Sequence, residues 1–168
     1  MPPDSRNHHP ENRSTSTQNA LKGSGLVETG KEASDLIRAI AKSDWDHAGR
    51  VLERLDQTGW GQGAQIISAA FALAVDKRFR GKGLQDIARF VAETRARYKD
   101  GSELPALAME GMIRAVLGEA HLVDDIAPDV AFSAQIAVLG TLLHDENMTE
   151  AQLDQFLKKA EETAAEYM

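Results

Sequence analysis

An all-α fold, a compact bundle of about six to seven helices, is predicted by three features of this sequence. Apolar residues recur at helical spacing through most of residues 29–168. No stretch sustains the apolar–polar alternation of a half-buried strand. Aromatic residues make up 5% of the chain, and alanine and leucine carry much of its apolar content, a mixture that favours helix over strand.

The elements follow in order. Residues 1–28 are rich in Ser, Thr, Asn, Pro and Gly. With so few large apolar side chains they cannot offset the entropy of ordering, so a disordered polar tail is expected, with His8 and His9 as solvated spacer. Residues 29–168 read as a single helical domain. Thr29 and Glu32 match a capping box, in which two side chains satisfy amides that a helix start leaves unpaired. Leu36, Ile37 and Ile40 then mark the inward face. Asp44 suits the N-cap of a second helix, with Trp45, Val51, Leu52 and Leu55 inward and Gly59 as its stop. A third helix, near Gly61–Phe79, is apolar almost all round from Ile66 to Val75 and therefore belongs at the centre. After a basic turn, Arg80–Gly83, a fourth runs from Leu84 to Tyr98 and is expected to bury Leu84, Ile87, Ala88 and Val91. Pro105 suits the first turn of a fifth helix carrying Leu107, Met109, Met112, Ile113 and Val116, with Gly118 near its end. An acidic connector, Leu122–Ala127, leads to Pro128 and a second nearly all-apolar helix. Thr149 and Gln152 form another capping box before a last helix over Leu153, Phe156, Leu157 and Ala160.

Part of this pattern recurs. Ile37-Arg38-Ala39-Ile40 resembles Ile113-Arg114-Ala115-Val116, and Ala64-Gln65-Ile66 returns as Ala134-Gln135-Ile136. We read residues 33–99 and 109–168 as two related halves, packed through the two apolar helices.

Composition removes several classes of chemistry. There is no cysteine, hence no disulfide, thiol nucleophile or thiolate metal site. The polar opening does not read as a secretory leader, which points to a cytoplasmic protein. The apolar runs Ala64–Val75 and Val130–Leu143 fall short of the roughly 20 residues of a membrane helix, so no membrane partner is expected. The net charge of −7 is unevenly spread: residues 31–100 carry thirteen bases and ten acids, residues 101–168 three bases and thirteen acids. Within residues 77–99 eight bases face only Asp86 and Glu93.

Four motifs bear on chemistry. Leu84–Arg89 is similar to the start of a helix–turn–helix, but no glycine follows Ala88 and Val91–Tyr98 stays in helical phase, so a solvated basic face is the better account. Asp145, Asn147 and Thr149 fall at calcium-loop positions, yet Glu150 and Phe156 stand where glycine and a bidentate acid are needed. His47, His121 and His144 have no metal-ligand spacing. Gly59-Trp60-Gly61-Gln62-Gly63 precedes a helix without the strand or the Lys-Ser/Thr of a phosphate loop, and reads as a stop, a turn and a start.

No catalytic residue, metal or cofactor is therefore expected. The leading expectation is a non-catalytic protein-interaction or regulatory domain, with another protein, or a second copy of the chain, as partner. Candidate partner-binding residues are Trp60, Lys77, Arg78, Arg80, Lys82, Arg89, Arg95 and Arg97. A nucleic-acid-binding regulator using residues 77–99 is the alternative. A small-molecule pocket between the apolar helices is a weaker one.

Overall fold

Caps decide where the helices of this chain begin and end. The computed structural model describes residues 30–98 and 104–166, so the tail expected over residues 1–28 and the Thr29 capping box lie outside the described residues. All regular structure among the described residues is helical: α1 (30–41), α2 (Trp45–Thr58), α3 (Gly63–Phe79), α4 (Leu84–Arg97), α5 (Ala106–Val116), α6 (Pro128–Glu146) and α7 (Glu150–Glu166). A single 3-10 turn, Ala120–Val123, interrupts the connector before α6. The Asp44 carboxylate accepts the His47 N–H at 3.2 Å to open α2, and Gly59, at φ 92°, closes it. At the start of α7 both halves of the capping box form. Gln152 N–H donates to Thr149 Oγ1 at 3.2 Å, and Thr149 N–H donates to Gln152 Oε1 at 2.9 Å. Pro128 opens α6, and Asn147, left-handed at φ 46°, ends it.

The core forms around α3, which packs against α5, α6 and α7, while α6 also packs against α4 and α5. Ile67 and Val75 of α3, Leu139 and Leu142 of α6, and Leu36 and Ile37 of α1 are fully buried. Phe79 meets Phe90 edge-on at 5.2 Å, which fixes the end of α3 to the middle of α4. Ser34 Oγ donates to Glu161 at 2.8 Å, and Arg38 pairs with Asp154 at 2.6 Å, so α1 lies along α7. No helix among the described residues is long and apolar enough to cross a membrane.

Three inward assignments differ from the structure. In α4 the buried arc is Ile87, Phe90, Val91 and Thr94, whereas Leu84 is 61% exposed and Ala88 faces solvent. Leu84 sits in the first turn, to one side of that arc. Trp45 remains 41% exposed, because it occupies the first position of α2 and lies edge-on against Tyr98 rather than beneath α3. Ile66 is buried but Ile136 is half-buried, so the two matched positions do not share an environment.

Candidate functional site

The sequence directs attention first to the basic stretch, and most of its cations are engaged within the protein. Lys77 reaches Glu146 at 3.0 Å and Arg97 reaches Asp145 at 3.5 Å, tying α3 and α4 to the end of α6. Arg80 pairs with Asp76 one turn back at 2.8 Å, and Arg78 lies over the Phe79 ring at 5.6 Å. Lys82 and Arg89 are exposed and make no ion pair among the described residues. Arg95, on α4, is half-buried and interacts with its surroundings. The charge imbalance between the two parts of the chain is thus partly answered by pairs across the bundle. Lys42 with Glu150, at 2.6 Å, is another.

The motif positions also resolve locally. Gly63 N–H donates to the Trp60 carbonyl at 2.7 Å, which takes one amide a phosphate would need. Asp145 faces Arg97, and Asn147 is a helix cap. His47 Nε2 lies 2.9 Å from Asp35 Oδ2 and joins α2 to α1.

A different region gathers exposed apolar surface. Where α2, the end of α4, the start of α5 and the first half of α6 converge, a cleft of about 770 Å³ opens to solvent. Its apolar walls are Trp45, Leu52, Leu104, Phe132 and Ile136, and Arg97 and Asp129 stand at its edge. Of the residues singled out from sequence, Arg97 lines this cleft and Trp60 reaches it indirectly. The Trp60 ring braces Phe132 edge-on at 5.1 Å while its Nε1–H donates to Asp56 at 3.0 Å.

The floor of the cleft depends on a glycine. Tyr98 and Trp45 meet edge-on at 5.4 Å, and both press on α6 at Gly140. A Cβ there would stand 2.9 Å from Tyr98 Oη, 2.9 Å from Ile40 Cγ2 and 3.2 Å from Trp45 Cη2. The Tyr98 hydroxyl donates to the Ala137 carbonyl at 3.3 Å, and burial pushes its pKa above the ordinary phenol value, against weaker opposing effects of Thr141 and Arg97. Only a residue without a side chain lets both rings lie this close to the helix.

Beyond Pro105 the cleft continues as a shallow groove of about 550 Å³ between α5 and the 3-10 connector, and Val130 lines both parts. Leu107, 82% exposed, stands on this groove with Leu122 and Ile126. Glu110 and Asp125 also line it. Arg114, the cation beside them, is held by a two-pronged pair with Glu119, Nε at 2.6 Å and Nη2 at 2.8 Å. That hydrogen bonding holds the Glu119 carboxyl below its ordinary value. By carboxylate NMR titration Glu119 should show a midpoint below the usual 4.5, moving back toward it in Arg114→Gln. The depressed value means that the pair's small contribution is present at neutral pH and is lost as acidification passes the folded-state midpoint. A midpoint at or above the usual value in the parent would contradict the pairing.

Another groove, of about 650 Å³, runs beside α3 among Ala64, Ser68, Ala72 and Ala164. Alanine, serine and threonine make up most of its lining, beside Gln65, Leu73 and Val116, and its carboxylate, Asp76, is occupied by Arg80. The sequence held a signal for the larger surface in Leu107, which falls off the buried arc of Ala108, Met109 and Ile113. Comparison with protein-family models, with curated proteins and with solved structures found no match.

Proposed function

We propose that this chain is a helical protein-interaction domain whose partner-binding face is the apolar cleft and groove along α5 and α6, not the basic stretch. The observation that carries this reading is a continuous line of solvent-accessible apolar side chains, from exposed Trp45 and half-buried Ile136 through half-buried Val130 to exposed Leu107. Large apolar side chains exposed together, with aromatics anchored from behind, are the features of surfaces that lose water against a partner. Scattered single apolar residues would not support the same conclusion.

The nucleic-acid alternative draws on the same stretch of cations, but phosphate binding needs several free ones along a continuous track. Lys77, Arg80 and Arg97 are already paired with carboxylates, which competes with that use. Gel-shift titration of the full chain at about 0.15 M salt, where the screening length is about 8 Å, is expected to give no submicromolar complex with duplex or single-stranded nucleic acid. A submicromolar complex there would reverse the ranking.

Crosslinking capture from host extract tests the main reading with paired variants. Leu107→Asp and Ile136→Asp should each lose the partner that the parent retains, while Lys82→Glu with Arg89→Glu should keep it. Capture lost only in the Lys82 and Arg89 variant would sink the reading. Melting curves establish beforehand that every variant is folded.

A further inference from the structure

We infer that the occupant of this face is a cationic amphipathic helix of a partner protein, engaged over at least two turns, an inference that rests on the interaction reading above. The length comes from the lane itself. From Leu107 to Arg114 the lining residues of α5 span seven positions, roughly 10 Å at the helical rise, which matches about two turns of a docked helix. The apolar lane supplies positions for side chains spaced i, i+3, i+4 and i+7 along such a helix. An extended peptide has no comparable seat, because the surrounding elements are helices and offer no open strand edge with which its backbone could pair.

The sign of the partner's charge comes from the rim. Glu110, Asp125 and Asp129 border the lane and make no ion pair among the described residues. The cations on the same border are already neutralised, Arg97 by Asp145 and Arg114 by Glu119. Glu110 also feels the Arg114 charge. With Asp145 and Glu119 matched to Arg97 and Arg114, the rim still keeps a net excess of three carboxylates, which favour lysine or arginine flanking the apolar face of the incoming helix. They disfavour an acidic helix, a nucleic acid or an anionic lipid surface. Charge of this kind acts mainly on encounter and selectivity, and the apolar contacts hold the complex.

The probe is a pair of capped 14-residue peptides, one Leu/Lys and one Leu/Glu, sharing the same i, i+3, i+4, i+7 leucine pattern, with a scrambled Leu/Lys peptide as control. Fluorescence polarisation against the full chain at about 0.15 M salt is expected to show the Leu/Lys helix binding at least tenfold tighter than the other two. Asp125→Lys with Asp129→Lys should weaken that peptide at least tenfold and Ile136→Asp should do the same. Glu162→Lys with Glu166→Lys, an equal change of charge on the exposed side of α7, should leave it unaltered. Equal binding of the Leu/Lys and Leu/Glu helices, both lost in Ile136→Asp, would overturn the cationic assignment and leave the interaction face standing. Equal weakening by the α7 and rim variants would overturn it as general attraction to an acidic protein. If sedimentation shows the parent self-associating and Ile136→Asp monomeric, a second copy is the occupant and the inference fails. Loss of partner capture that ignores Leu107 and Ile136 would instead remove the reading beneath it.

Discussion

Replacing Leu139 with Asp is expected to abolish the cooperative fold, whereas the same change at Ile136, three residues earlier on α6, leaves the chain folded. Leu139 is fully buried in the apolar core of the bundle. A carboxylate there must be ionised without a partner or protonated at a raised pKa, and either state costs several kcal/mol. That is comparable to the whole stability of a domain, about 5–15 kcal/mol. Ile136 is half-buried at the edge of an open cleft, so an aspartate there keeps contact with water. Far-UV circular dichroism and amide dispersion in NMR check both variants. A folded Leu139→Asp variant melting within about 3 °C of the parent would show that α6 is not central.

The second large effect is expected at Gly140, where the direction of the change is itself informative. On helix propensity alone, Gly140→Ala would stabilise by about 1 kcal/mol. The added methyl, however, falls within van der Waals contact distance of Ile40, Tyr98 and Trp45. Ile40 is fully buried and cannot swing aside, and moving Tyr98 weakens its bond to the Ala137 carbonyl. Overpacking of this kind costs about 1–3 kcal/mol, with roughly 1 kcal/mol more for the strained hydrogen bond. We expect a net loss of about 1–3 kcal/mol, a fall in melting temperature of roughly 3–10 °C. In the double variant Gly140→Ala, Tyr98→Phe the cost of the alanine should shrink, because the closest oxygen is gone. A higher melting temperature for Gly140→Ala than for the parent would mean that the rings do not rest on this helix.

What was legible in the sequence was whatever local chemistry controls. The Thr149–Gln152 box, Asp44 as a cap, Pro128 at a helix start and the central place of α3 all depend on residues within one or two turns. The errors arose where the tertiary environment decides. Leu84 and Ala88 have suitable spacing to join Ile87 and Val91 in a buried arc, but α4 is rotated so that Ile87, Phe90, Val91 and Thr94 face the core, which leaves Leu84 and Ala88 to one side of the arc. Trp45, expected inward with Val51, Leu52 and Leu55, begins α2, and that position leaves one face for solvent. The cleft was not legible because its walls come from four elements distant in sequence. Gly140 resembles any helix glycine until Tyr98 and Trp45 are placed beside it. Charge segregation was visible, but its use was not: a string of bases reads as an outward patch until Asp145, Glu146 and Glu150 are found opposite.

Those cross-bundle pairs also bear on the chain before it folds. Lys77 and Glu146 are 69 residues apart in sequence, and Arg38 and Lys42 find their acids at Asp154 and Glu150 on the last helix. The polypeptide is therefore a block polyampholyte, with a mildly cationic middle and a strongly anionic C-terminal portion. In the denatured ensemble the two blocks attract, which biases random encounters toward the segments that must later meet. The effect has a clear signature. In urea, which carries no charge, the distance between labels at residues 42 and 150 should grow as sodium chloride is added and attraction is screened. Guanidinium, being itself a salt, would conceal it.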